Sequence, residues 1–129
     1  MTVPAVVPDE VATLDLERLD VYRAAVQFCG VVSRLRIAPA FLRDQIARAS
    51  ASVVLTLAEG VGRVSGPDRA HFFAIARGSA FECAAVLDLL HARGATPEAV
   101  YRDARTLLVR VVQMLTRLID RQRHPQPRA

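Results

Sequence analysis

The sequence predicts an all-α protein, an antiparallel up-down four-helix bundle, and three observations carry that expectation. Apolar residues recur in steps of three and four over four separate stretches. Helix-stopping or helix-starting residues, namely Pro39, Gly66 with Pro67, and Gly94 with Pro97, fall between those stretches. The composition is 52% hydrophobic but only 5% aromatic, with no tryptophan, which suits packed aliphatic helices better than a β-sandwich. A chain of 129 residues fits one domain with a self-sufficient core.

The opening "MTVPAVVPDE" lacks the basic region of a signal peptide, and Pro4 and Pro8 interrupt its apolar run. Residues 1–13 therefore read as a flexible arm ahead of a bundle domain spanning 14–121. The first helix is expected from Leu16 to about Arg36, with one apolar row at Leu19, Tyr22, Val26 and Cys29 and a second at Val21, Ala25, Phe28, Val32 and Leu35. Its "CGVVSRL" also admits a short strand, given Gly30 and the paired valines. Ala38 and Pro39 make the break, because proline disfavours helical geometry in the residue before it. The second helix runs from Ala40 to Glu59 on a stripe of Leu42, Ile46, Ala49, Val53 and Leu57, and Gly60 is expected to end it in a left-handed conformation.

Ser65 as a cap, Pro67 early in the turn and Asp68 three residues after the serine open the third helix. It continues to about Arg93 on a stripe of Phe72, Ile75, Ser79, Cys83, Val86 and Leu90, while Ala76, Gly78, Ala80, Ala84 and Ala85 let a neighbour approach closely. Gly94 closes it; Thr96 is expected to cap the fourth helix, with Pro97 at its first position and Glu98 complementing the dipole. Tyr101, Ala104, Leu108, Val111, Leu115 and Leu118 form that helix's seam, and residues 122–129 read as a basic disordered tail.

Every one of the seventeen basic residues is arginine, for a net charge of +4. The first twenty residues hold Asp9, Glu10, Asp15, Glu17 and Asp20 against Arg18 alone, a charge of −4, so the remainder carries +8. Cys29 and Cys83 with His71, His91 and His124 show no metal-ligand spacing, and no cofactor is expected. No apolar run approaches the roughly twenty residues of a membrane span, and both cysteines sit among apolar neighbours, so the expectation is a reduced, cytoplasmic protein.

"TLAEGVGR" does not read as a phosphate loop: it leaves a helix rather than a strand, and Gly60, Gly62 and Gly66 fit neither nucleotide motif. Glu59, Arg63, Arg77 and Glu82 are expected to meet at one end of the second and third helices. With no nucleophile–base arrangement among them, they read as an ion-pair network at a turn or subunit contact, and no enzyme is expected. On the fourth helix Arg102, Arg110, Arg117 and Arg121 fall within an arc of roughly 100° and Arg123 follows, a ridge suited to a phosphate backbone. Asp103 and Asp120 share that arc, so a solvated, salt-bridged face is the other reading.

Gln45 to Glu82, "QIARASASVVLTLAEGVGRVSGPDRAHFFAIARGSAFE", resembles a bacterial family first noticed as proteins encoded in intervening sequences of 23S ribosomal RNA, relatives of which are accessory proteins of diversity-generating retroelements. The family pattern Q-x-x-R-A-x-x-S, then N-I-A-E-G-x-x-R, then F-x-x-I-A-x-G-S-x-x-E is matched by Gln45, Arg48, Ala49, Ser52, Ala58, Glu59, Gly60, Arg63, Phe72, Ile75, Ala76, Gly78, Ser79 and Glu82. Thr56 replaces the usual asparagine, Ala84 stands where a second glutamate is common, and the loop around Pro39 is short. The resemblance covers roughly Leu19 to Ile119. It implies a four-helix protomer assembled with itself into a homopentameric ring, with RNA or DNA and a protein such as a reverse transcriptase as partners, and it makes Gln45, Arg48, Glu59, Gly60, Arg63, Arg77, Gly78, Ser79 and Glu82 a structural motif or subunit contact. The combined expectation is a non-enzymatic, ring-forming bundle that binds nucleic acid, structured RNA or an RNA–protein complex, through arginine–phosphate contacts at Arg102, Arg110, Arg117, Arg121 and Arg123. The alternative is a purely structural oligomer or adaptor without nucleic-acid binding.

Overall fold

The structure, a computed structural model, describes residues 3–125. The expected tail 122–129 lies partly outside them. A 3₁₀ turn, Asp15–Arg18, precedes four helices: α1 Asp20–Arg34, α2 Ala40–Val61, α3 Gly66–Ala92 and α4 Glu98–Arg123. No strand occurs among the described residues, so "CGVVSRL" is the end of α1 and not a strand. The single helix expected from Leu16 divides at Leu19, whose extended backbone (φ −78°, ψ 124°) separates the 3₁₀ turn from α1.

Each helix packs on its chain neighbours, and α1 closes the bundle against α4. Hydrogen bonds between α2 and α3 pair Gln45 with Glu82 and Ser52 with Ser79, so the two run antiparallel. Contacts of Arg77 with Thr116 and of Asp88 with Arg105 give α3 and α4 the same relation. The shared core gathers Phe28 of α1, Ile46 and Leu57 of α2, Phe73, Cys83 and Leu87 of α3, and Leu108 and Leu115 of α4. Val3 is also buried in it, so the arm is anchored near its start.

The α2 stripe is as expected, with Leu42, Ile46, Ala49, Val53 and Leu57 all buried. The α3 stripe is as expected at Cys83, Val86 and Leu90 but rotated over its first half. Phe73, Ala76, Ala80, Cys83, Val86, Leu87 and Leu90 are buried, whereas Phe72 and Ser79 are only partly covered and Ile75 is exposed. Small and large apolar residues surround α3 on every side, so its period alone does not select the face that α2 and α4 cover.

Three terminal details decide the turns. Ser65 Oγ accepts from Asp68 N at 3.2 Å and caps α3 as expected. Thr96 does not cap α4; Pro97, in extended geometry (φ −56°, ψ 141°), occupies the cap position itself and leaves Thr96 one residue too early. Gly94 (φ 64°) is the only described residue in left-handed geometry and ends α3. Gly60, by contrast, is not a left-handed stop: it lies buried inside α2, and a Cβ there would come within 2.7 Å of the Phe73 ring. Its role is close helix approach.

Candidate functional site

Two outer surfaces contain the residues singled out by the sequence, one over α2 and α3 and the other on α4. On the first, the motif positions of α2 (Gln45, Arg48, Ser52, Thr56, Glu59) advance by three or four and, with Arg63 in the turn after it, line up beside Phe72, Ile75, Ser79 and Glu82 of α3. Gln45 Nε2 donates to Glu82 Oε1 at 2.8 Å, while Arg48 Nη2 donates to Gln45 Oε1 at 3.4 Å. In the middle the Ser52 and Ser79 hydroxyls share a hydrogen bond of 2.9 Å, and Thr56 Oγ1 donates to the Ser52 carbonyl at 2.6 Å. At the turn Arg63 is ion-paired with Glu59 and its guanidinium lies 4.7 Å from the centre of the Phe72 ring.

The expected meeting of Glu59, Arg63, Arg77 and Glu82 does not occur. Antiparallel packing sets Glu82 level with Gln45, about 21 Å along α2 from Glu59 at the helical rise per residue. Arg77 emerges on the other side of α3, where its Nη1 donates to Thr116 Oγ1 of α4 at 3.3 Å. These polar groups join pairs of helices; they do not converge on one cleft. Desolvation pushes the buried Cys83 thiol up to about 12 and also raises the half-buried Cys29 above its ordinary value, which disfavours the reactive thiolate at both.

What surrounds the polar seam is apolar and uncovered. Phe41 (63% exposed), Leu55 (67%), Phe81 (56%) and Leu89 (51%) are large side chains left in water on α2 and α3. Opposite the buried row of α3 stand Ala74, Gly78, Phe81, Ala85 and Leu89, and nothing lies within 4 Å of the position a Gly78 Cβ would take. A helix that is apolar all round is normally covered all round. Sequence reasoning placed Gly78, Ser79 and Glu82 in a structural motif or subunit contact, but did not single out Phe41, Leu55, Phe81 and Leu89 as the large side chains left exposed around it.

The six arginines of α4 are spread over three depressions. Arg102 and Arg110 border a shallow groove with Tyr101, Arg105 and Val109, and Arg102 Nε lies 3.4 Å from Glu98 Oε1. Arg110 is half-buried and also engaged. Arg123 lies on another side, beside Pro67 and His71 at the start of α3. Arg117 and Arg121, one helical turn apart and exposed, line a cleft of about 210 Å³ with Met114, Leu118, the extended Leu19 and the first two residues of α1, Asp20 and Val21. Neither forms an ion pair within 4 Å among the described residues.

The α3–α4 turn holds a further network that periodicity could not show. Tyr101 OH donates to Asp88 Oδ1 at 2.8 Å, Arg105 Nη1 approaches the same oxygen at 3.0 Å, and His91 stacks on Tyr101 while its Nε2 meets Glu98 Oε2 at 2.8 Å. The hydrogen bond to Asp88 raises the Tyr101 phenol, and the one to His91 lowers the Glu98 carboxyl. Tyr101 was legible as a seam residue; its hydroxyl partner was not.

Fold and surfaces together define a small helical bundle with one apolar, hydrogen-bonded outer face and a last helix that carries six arginines. A family model described as 23S rRNA-intervening sequence protein matches residues 17–117, and the chain belongs to that family. Its fold is similar to that of a protein of unknown function from the S23 ribosomal protein family of Bacteroides thetaiotaomicron VPI-5482, with a TM-score of 0.70 at 18% identity, covering 77% of this chain and 97% of that one. No curated protein matches the chain. None of the helices is long and apolar enough to cross a membrane among the described residues.

Proposed function

We propose that the chain is a non-enzymatic assembly protein: copies associate through the α2–α3 face into a ring, pentameric as the family resemblance implies, and the assembly binds structured RNA through arginine–phosphate contacts centred on Arg117 and Arg121. The observation that carries this is the division of the surface. Of the large apolar side chains left in water among the described residues, Phe41 and Leu55 lie on α2 and Ile75, Phe81 and Leu89 on α3, while α4 offers two neighbouring arginines, without an ion pair among the described residues, beside a cleft. A ring repeats that pair in every copy, and polyvalent phosphate contact grows with the number of cations presented. Aromatic residues do not line the cleft, which favours backbone contact over base stacking.

The adaptor reading has one observation in its favour: Arg63, Arg102 and Arg105 are engaged with Glu59, Glu98 and Asp88 of the same chain, so much of the arginine excess serves the protomer. Titrating a labelled RNA hairpin with wild type and with Arg117→Gln/Arg121→Gln over a salt series separates the two. The nucleic-acid reading expects at least tenfold weaker binding by the variant at low salt and a log–log salt slope shallower by about 1.4 to 1.8. Binding by neither protein leaves the adaptor, and equal binding by both removes Arg117 and Arg121 from the contact.

A further inference from the structure

We propose that the acidic N-terminal segment is an electrostatic gate on the Arg117–Arg121 cleft, its fixed field opposing the approach of nucleic-acid phosphate to the two guanidinium groups. The inference rests on the reading above that this cleft takes phosphate.

Charge along the chain is segregated, −4 in the first twenty residues and +8 in the rest. The structure brings the two signs together at one place, because Asp20, the last carboxylate of that segment, lines the cleft with Arg117 and Arg121. Asp20 makes no ion pair within 4 Å among the described residues, so it acts on the arginines through its field and leaves their donors available. Upstream, the segment is held at both ends, by Val3 in the core and by α1. Between those anchors Asp9, Glu10 and Asp15 are exposed, with Asp15 engaged only by the equally exposed Arg18 at 3.5 Å. Asp20, fixed in the first turn of α1, cannot diffuse away and acts as a standing counter-charge at the cleft, to which the upstream carboxylates add from the same tethered segment.

Screening limits how far each acts. At physiological ionic strength the Debye length is about 8 Å, so Asp20 dominates and the upstream acids add a smaller, more salt-sensitive part. A gate of this kind discriminates: a ligand presenting several phosphates overcomes it, whereas an isolated anion gains too little to do so.

The test measures binding of a labelled RNA hairpin by fluorescence anisotropy at about 50 mM and about 300 mM salt, a range over which phosphate contacts weaken strongly. Wild type is compared with Asp20→Asn and with the combination Asp9→Asn/Glu10→Gln/Asp15→Asn/Asp20→Asn, each also in an Arg117→Gln/Arg121→Gln background. Removing Asp20 is expected to tighten binding roughly 1.4- to fivefold at low salt, the range of an exposed charge pair. The combined variant should gain about tenfold or more, with both gains shrinking at high salt. Both gains should vanish without the two arginines, which separates a local gate from a change in overall charge. If wild type binds and the combined variant binds no better, the gate alone is overturned; a gain that persists without the arginines also overturns it. Should no variant bind RNA at either salt, the phosphate reading fails and the gate with it. Asp20 lies in the first turn of α1, so a melt accompanies each variant, and Asp9→Asn/Glu10→Gln/Asp15→Asn, confined to residues outside α1, repeats the test if Asp20→Asn unfolds.

Discussion

Helices α1 and α4 are one-sided, with a clear apolar stripe and a wet face, whereas α2 and α3 carry apolar residues around most of their circumference. All four contribute to the same core, so the difference lies in what the outer surface is for. A one-sided helix is finished once the bundle has formed, and its exposed face is free to carry arginine. On a helix that is apolar all round, burying one side leaves the other still exposing hydrocarbon. The glycines of α2 and α3 show the contrast at single-residue scale: Gly60 admits Phe73 within the chain, while Gly78 admits nothing in the chain.

The largest expected effect tests the outer surface of α3. Phe81→Glu/Leu89→Glu should convert the assembly to monomers in multi-angle light scattering, since each large apolar side chain contributes about 1.5–3 kcal/mol when covered. Retention of the wild-type mass would place the subunit contact elsewhere and break the comparison. Next comes Gly60→Ala. Helix propensity alone favours alanine, but the Phe73 ring is fully buried and cannot swing into solvent, so denaturant titration should show a net loss of about 1–3 kcal/mol.

Gly78→Ala should behave oppositely, raising the stability of the isolated chain by about 0.5–1 kcal/mol because the new methyl meets open space. If a partner helix approaches at Gly78, the same variant should lower the assembled mass at limiting concentration. Smallest is Arg63→Ala, an exposed ion pair and ring contact at the α2–α3 turn, expected to cost about 0.5–1 kcal/mol in thermal or denaturant unfolding with the oligomer intact.

Helices α2 and α3 also differ from each other in how well they could be read. Helix α2 was legible because its larger side chains, Leu42, Ile46, Val53 and Leu57, mark one stripe and polar residues fill much of the gap. On α3 the order Phe72–Phe73, Ile75–Ala76 and Ser79–Ala80 offers two adjacent rows of equal merit, and only the neighbours in space choose between them. The family motif residues were found in sequence, yet their grouping was not: sequence separation cannot show that Glu82 faces Gln45 or that Arg77 faces Thr116. Similarly, the arc of arginines on α4 follows from helical angles, while the separation of Arg117 and Arg121 from Arg102 and Arg123 depends on Glu98, α1 and the start of α3.

Bare backbone at Gly78 has a consequence for how such a protein changes over time. A lone protomer would gain resistance to heat by filling that spot with almost any side chain, while a docked pair would lose a place for intimate contact. Selection acting on purified single chains and selection acting on the gathered form therefore pull one codon in opposite directions, so variants obtained by screening for thermostability alone should drift toward solitary, well-folded molecules.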